Sequence, residues 1–193
     1  MTTADMKLVL ASQSPRRREL LQLAGYLFEV MPPRDGAECG SVTRESPQEL
    51  VARLAYQKAA DVAGRCGQAI VIGCDTVAEC DGQILGKPTD RNHARQMLKL
   101  LSGRTHHVYS GLCLWRNPDM KTLVKVEATK LQMYELSDKK LEKHLESDRW
   151  QGKAGAFGFQ DGLEWVKIVV GSESNVVGLP MELFAKMLAE ICG

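Results

Sequence analysis

Between Leu8 and Leu21 the chain passes from an apolar strand through the polar turn Ser12-Gln-Ser into a helix opened by Pro15. That order limits the fold to one in which a buried strand feeds a helix directly. Pro15 suits the first helical position, where its missing N–H has no intrahelical role, and Ser14 before it is a good N-cap. Three residues after the cap, where a capping box would place Glu or Gln, stands Arg17. The helix end therefore stays electropositive. Its backbone amides, the Ser12 and Ser14 hydroxyls and the Arg16 and Arg17 guanidiniums form a set able to converge on one anion. The plainer alternative is a capped helix with solvated arginines.

A length of 193 residues, 44% of them hydrophobic and 25% charged, suits a single domain over residues 1–193, or two small lobes sharing a core. Lys plus Arg number 25 against 24 Asp plus Glu, so the net charge of +1 argues against a general nucleic-acid or membrane-binding surface. Apolar runs such as Ala69-Ile-Val-Ile are too short to span a bilayer, and no signal-peptide core opens the chain, so a cytoplasmic location is expected. The six cysteines (39, 66, 74, 80, 113 and 192) form no CxxC pair and read as reduced thiols. His93, His106, His107 and His144 lack metal-ligand spacing and read as structural or exposed.

Along the chain, a helix over about Pro15–Ala24 stops at Gly25, and a short strand over Tyr26–Met31 precedes an irregular loop, Pro32 to Glu38. Ser46-Pro47-Gln48-Glu49 is a full capping signature, and the helix it opens has an apolar stripe of Leu50, Val51, Leu54, Ala55 and Val62. Arg53 and Lys58 on that helix are five residues apart and cannot share a face, so one of them can point inward. Ala69 to Gly73 reads as a central strand buried on both faces, ending at Cys74-Asp75-Thr76. An acid at the carboxyl end of such a strand lies where open α/β sheets bind ligands, which favours chemistry for Asp75 over turn capping.

Asp81-Gly82 is a hairpin turn, and Pro88 holds Lys87 in extended backbone beside it. Thr89 or Asp90 caps a helix with a stripe of Ala94, Met97, Leu98 and Leu101. Two long strands, His106–Trp115 and Leu123–Met133, flank Asn117-Pro118-Asp119, and Ser137-Asp138 caps a further helix to about Glu146. The small residues from Ala154 to Gly158 allow close backbone approach ahead of Gln160. Leu163–Val170 is expected as the last strand, followed by a loop over Gly171–Asn175 and a helix after Pro180.

Seven ordered blocks then carry a resemblance: Ser12-Gln-Ser-Pro-Arg-Arg, Ala52-Arg-Leu-Ala with Lys58, Gly73-Cys-Asp-Thr-Val, Leu85-Gly-Lys-Pro, Leu101-Ser-Gly-Arg-Thr-His, Lys153-Ala-Gly-Ala-Phe-Gly-Phe-Gln and Asn175-Val-Val-Gly-Leu-Pro. Together they resemble the Maf family of nucleotide pyrophosphatases over nearly the full length. The resemblance implies an ITPase-like α/β fold, with a curved mixed sheet, helices outside it and two lobes around a nucleotide cleft. It also implies homodimeric assembly, common in the family. The implied reaction is hydrolysis of a nucleoside triphosphate between the α and β phosphates, with Mg²⁺ or Mn²⁺, to a monophosphate and pyrophosphate.

By that likeness Asp75 is the proton acceptor; Ser12, Arg17, Lys58 and Lys87, joined by Ser14 from the turn itself, bind phosphate; and Arg16, Thr76 and Gln160 mark substrate choice in the manner of the dTTP and UTP branch. Asp75 and Glu38 fit a cation that takes only one or two protein carboxylates. Asp161 stands where the family often has Gly, and Glu173 where it often has an aromatic residue. Rival readings are a broader pyrophosphatase for modified nucleotides, including 7-methyl-GTP, and a nucleotide-binding regulator of cell division.

Overall fold

The computed structural model describes residues 6–39 and 44–193. Strands β1 (Lys7–Ala11), β2 (Phe28–Val30), β3 (Ala69–Cys80), β4 (Gln83–Leu85), β5 (Thr105–Arg116), β6 (Lys121–Met133) and β7 (Val166–Val170) form one mixed sheet in the order β2-β1-β3-β5-β6-β7, with β4 paired to β3. Helices α1 (Pro15–Leu23), α2 (Pro47–Ala63), α3 (Arg91–Leu101), α4 (Asp138–Glu146), α5 (Glu173–Val177) and α6 (Met181–Cys192) flank it. The pairs β1/β2 and β1/β3 are parallel, whereas β3/β4 and β6/β7 are antiparallel. Among the described residues no helix is long and apolar enough to cross a membrane.

The chain divides into two compact units, the first holding Met1–Asp75, Ser110–Glu127 and Gly178–Gly193 and the second Thr76–Tyr109 and Ala128–Val177. In the first unit, successive residues of β1 feed opposite faces, as a strand buried on both sides requires. Leu8 and Leu10 join Leu21 of α1 and Phe184, Met187 and Ile191 of α6, while Val9 and Ala11 join Ala55, Ala59 and Val62 of α2. The helix starts follow local chemistry: Ser46 and Glu49 close the full capping box at α2. In the second unit the stripe Ala94, Met97, Leu98 and Leu101 packs with Leu141 and Leu145 of α4, with Leu131 and Met133, and with Trp150, Phe157 and Trp165.

Three expectations change. The segment from Ala69 does not stop at Cys74-Asp75-Thr76 but continues to Cys80 as one twelve-residue strand. Its first half pairs with β1, whose last residue Ala11 faces Gly73, and its second half pairs with β4 from Ala78 onward. Asp75 thus lies mid-strand, two residues beyond the last partner in β1, rather than at a strand end. Gly171–Asn175 is not all loop, because α5 begins at Glu173. The Ser172 hydroxyl accepts from the Asn175 amide at 3.4 Å, so the residues that favour turns start a helix here. Asn175 is fully buried and donates to the Val108 carbonyl and the Thr129 hydroxyl at 3.1 and 2.9 Å. The last strand starts at Val166, its amide closing a turn onto the Leu163 carbonyl at 3.2 Å.

His106 is 1% exposed, packs edge-on against Phe157 at 5.4 Å, and has no hydrogen-bond partner at either ring nitrogen among the described residues. Burial pushes its pKa down to about 4. The unfolded chain therefore binds a proton near pH 6.5 that the folded chain refuses. The associated stability is complete above pH 6.5 and is lost as the pH falls toward 4. Between pH 7 and pH 5 this one group should cost about 2 kcal/mol, and urea unfolding of a His106→Leu variant should show a pH dependence smaller by that amount.

Candidate functional site

The geometry of the first unit starts from a close approach of helix to strand. A Cβ placed on Gly73 of β3 would lie 2.2 Å from the Ala55 carbonyl oxygen of α2, and one on Gly111 of β5 would lie 2.0 Å from that of Val51. With only hydrogens at these positions, α2 rests directly on the sheet backbone. Lys58 lies one turn beyond Ala55 and Asp75 two residues beyond Gly73, so the same approach brings the two side chains together. Lys58 Nζ sits 2.5 Å from Asp75 Oδ1 and 3.2 Å from Glu38 Oε2. The Lys58 and Asp75 side chains are 11% and 15% exposed, and Glu38 40%. Lys58 is thus the inward cation of its helix, and it gathers two carboxylates that are 37 residues apart in sequence.

The loop carrying Glu38 is stapled to α2 at both ends. At its start the Arg34 amide donates to Asp61 Oδ2 at 3.0 Å, and Arg65 donates to the Pro32 carbonyl at 2.8 Å and to Asp61 at 2.5 Å. Partial burial works against the Asp61 charge, but the Arg34 amide and the Arg65 guanidinium outweigh it and hold that carboxyl below its ordinary range. At the other end Arg53 donates to the Cys39 carbonyl at 2.9 Å while gripping Glu45 through two bonds of 2.5 and 2.6 Å. Gln57 adds a contact to the Cys39 sulfur at 2.7 Å. Sequence reasoning placed Arg53 only by its helical angle and missed its anchoring role. The available signal was an arginine one turn from Gln57 on the face that turns away from Lys58.

At the entry to α1, the Ser12 hydroxyl accepts from the Ser14 amide at 3.2 Å and from Arg17 Nη1 at 3.1 Å, and Arg17 Nε donates to the Gly178 carbonyl at 2.8 Å. Ser14 occupies the N-cap position, but its side chain makes no capping bond, and no acid stands in the first turn. The helix end therefore remains electropositive. Arg17 is 9% exposed and acts as a strut between the Ser12 turn and Gly178, whereas Arg16 beside it is half-buried. The expected anion set is thus assembled in part, with Arg17 engaged by the fold itself.

Thr76, Lys87 and Gln160 belong to the second unit. Thr76 is half-buried on β3, and Lys87 is exposed just past β4. The Gly155 amide donates to the Gly86 carbonyl at 3.1 Å, tying the segment before Lys87 to the small-residue run. Gln160 is exposed in the single 3₁₀ turn Phe159–Asp161. Beside it Lys153 and Asp161 form an ion pair at 2.5 Å with side chains 11% and 13% exposed. That pair was not foreseen. Its signal was the close-approach run between Lys153 and Gln160, read for its backbone and not for the cation that opens it.

Among the described residues no group of three or more His, Cys, Asp or Glu gathers to hold a metal. Asp75 and Glu38, both against one ammonium, are instead a two-carboxylate donor set, suited to a hard cation that completes its shell with phosphate and water.

A mixed sheet flanked by helices, with this strand and helix order, defines an α/β protein of the class seen in the structure of a HAM1 protein from Coxiella burnetii. The two agree with a TM-score of 0.51 over 96% of this chain and 99% of that one, at 14% identity. The chain belongs to the Maf family: the family model described as Maf-like protein matches residues 7–191. A relative from Rhodopirellula baltica, named dTTP/UTP pyrophosphatase, is 58% identical over 182 residues, covering 94% of this chain and 80% of its own length. One of the same name from Carboxydothermus hydrogenoformans is 41% identical over 186 residues, covering 96% and 98%.

Because the Lys58–Asp75 contact depends on a helix lying on bare backbone, Gly73→Ala should destabilise the protein by about 3 kcal/mol through overpacking. Urea unfolding measures it. A loss below about 1 kcal/mol would show that α2 can retreat without cost.

Proposed function

We propose that this protein hydrolyses dTTP and UTP between the α and β phosphates, releasing a nucleoside monophosphate and pyrophosphate. The observation that carries the reading is the convergence of Asp75 and Glu38 on Lys58 beside an uncapped, acid-free helix start. The names of the relatives supply the substrates. A cytoplasmic location, expected from the sequence, is part of this proposal.

Phosphoryl chemistry asks a protein mainly for positioning and charge neutralisation. The electropositive start of α1, with the Ser12 and Ser14 turn and Arg16, offers donors for phosphate oxygens. Arg17 keeps that turn in place through Ser12 and Gly178. Lys58 holds the two carboxylates together and offers a cation for the triphosphate charge; Lys87 is assigned to phosphate on the family likeness alone. Asp75 accepts the proton of the attacking water. Asp75 and Glu38 would hold Mg²⁺ or Mn²⁺, which when bound neutralises phosphate charge and makes a coordinated water more acidic. The helix amides and side-chain cations stabilise pyrophosphate as it leaves.

On the base, Gln160 can donate to the O4 of uracil or thymine and accept from N3–H, with Arg16 and Thr76 as further determinants. A wild-type enzyme preferring 7-methyl-GTP over UTP would overturn this choice.

Chromatography of UTP incubated with purified protein and Mg²⁺ tests the reaction, and UMP with pyrophosphate is expected. UDP with orthophosphate would place attack at the γ phosphorus instead. Asp75→Asn keeps the side-chain shape while removing the base, and should lower kcat by about 10²- to 10⁴-fold with a cooperative thermal melt retained. Near wild-type turnover by the folded variant would remove Asp75 from the chemistry.

A further inference from the structure

We propose that the Lys58 ammonium and the divalent cation compete for the Asp75 and Glu38 carboxylates, so that Lys58 is handed to the triphosphate only when cation and nucleotide are both bound. This rests on the pyrophosphatase reading above. It makes one lysine the link between the binding of the two ligands.

Lys58 has two duties that conflict. Its Nζ lies 2.5 Å from Asp75 Oδ1 and 3.2 Å from Glu38 Oε2, so it neutralises both carboxylates. Those carboxylates are also the donor set suited to a hard cation, and the same ammonium is the one offered to phosphate. An ammonium carries three donors and can in principle touch several acceptors. A divalent ion, however, brings two further positive charges to the same pair of carboxylates. In a site largely shielded from solvent, two cations sharing one pair of oxygens repel strongly. Lys58 therefore gives up the carboxylates when they are used to hold a metal.

The surroundings of Lys58 decide what that exchange costs. Among the described residues Asp75 and Glu38 are its only hydrogen-bond or ion-pair partners, so nothing else in the fold receives the ammonium once it leaves them. The Lys58 side chain is only 11% exposed, and an ammonium deprived of its carboxylates there is a stranded charge. Arg17 differs in this respect, because Ser12 and the Gly178 carbonyl hold its guanidinium in place. Nor does the helix follow the lysine, since α2 rests on the bare backbone of Gly73 and Gly111. The movement is confined to the flexible four-carbon stem. With a cation alone, Lys58 is stranded; with nucleotide alone, it stays on the carboxylates. With both, the carboxylates keep a counter-charge and the ammonium finds phosphate oxygens. Each ligand thus favours the other, and by linkage to the same degree.

The test measures Mn²⁺ binding without nucleotide, from the loss of the free-ion electron paramagnetic resonance signal, for the wild type, Lys58→Met and Lys58→Arg, each confirmed folded by thermal melting. Competition predicts that Lys58→Met binds Mn²⁺ about tenfold more tightly than the wild type, whereas Lys58→Arg, which keeps the charge, does not. A lysine that only organises the carboxylates, or only binds phosphate, would on removal weaken Mn²⁺ binding or leave it unchanged, and either result overturns the proposal. A gain shared by Lys58→Arg would trace to packing and overturn it as well. Where two facing carboxylates unsettle Lys58→Met, the same comparison on a Glu38→Gln background has one of them neutral and carries the same expected sign. The exchange further predicts that Lys58→Met weakens binding of the non-hydrolysable α,β-methylene analogue of UTP about tenfold with Mn²⁺ present and by less without it. Equal losses under both conditions would show that Lys58 meets phosphate whatever holds the carboxylates. Wild-type protein that releases no pyrophosphate from UTP would instead overturn the pyrophosphatase reading, a result independent of the Mn²⁺ comparison.

Discussion

Everything in the first unit depends on how closely α2 lies on the sheet. Two glycines, 73 and 111, remove the side chains that would hold a helix at its usual distance, and carbonyl oxygens of α2 occupy the space where their Cβ atoms would be. A lysine ammonium that would otherwise reach solvent is thereby brought to a strand carboxylate. The same helix, with Arg65 just past its end, carries the groups that anchor the Glu38 loop: Asp61 and Arg65 hold Arg34 and Pro32, and Arg53 and Gln57 hold Cys39. One rigid element thus sets both carboxylates relative to Lys58, so their separation does not depend on the loop's own preferences.

The charges follow a consistent logic. Taking Lys58 and Asp75 largely out of water costs more than either charge could recover alone, and each makes the other tolerable. The same holds for Lys153 and Asp161. By contrast, Lys7–Glu29 and Lys125–Glu190 are about half exposed and are worth little to stability. The near-neutral net charge of +1 hides this arrangement, because the shielded cations are matched by shielded carboxylates within hydrogen-bonding distance.

Much of the fold was legible because its signals are local. The capping box at Ser46, the stripe Ala94-Met97-Leu98-Leu101 and the apolar run Ala69 to Gly73, buried on both faces, each specify an element within one or two turns of chain, and each formed as expected. The errors lie where a local signal had two outcomes. Ser172-Glu-Ser reads equally as a turn and as a helix start, and only the burial of Asn175 against Val108 and Thr129 decides for the helix. Cys74-Asp75-Thr76 looks like a strand end until β4 supplies pairing beyond it.

The candidate site divides along the same line. Asp75 was singled out as the end of an apolar strand, and the structure instead sets it mid-strand, past the end of β1, with its carboxylate against the Lys58 ammonium. What the sequence could not display is partnership across distance. The staple from Arg53 to Cys39 spans 14 residues, the strut from Arg17 to Gly178 spans 161, and neither pair lies within a single helix or strand. The Lys153–Asp161 pair spans eight residues, near enough to notice, yet depends on a glycine between them that was read only as backbone room. In each case the chain must already be folded before the pair exists, so the information resides in the packing of elements and not in the pattern of any one of them.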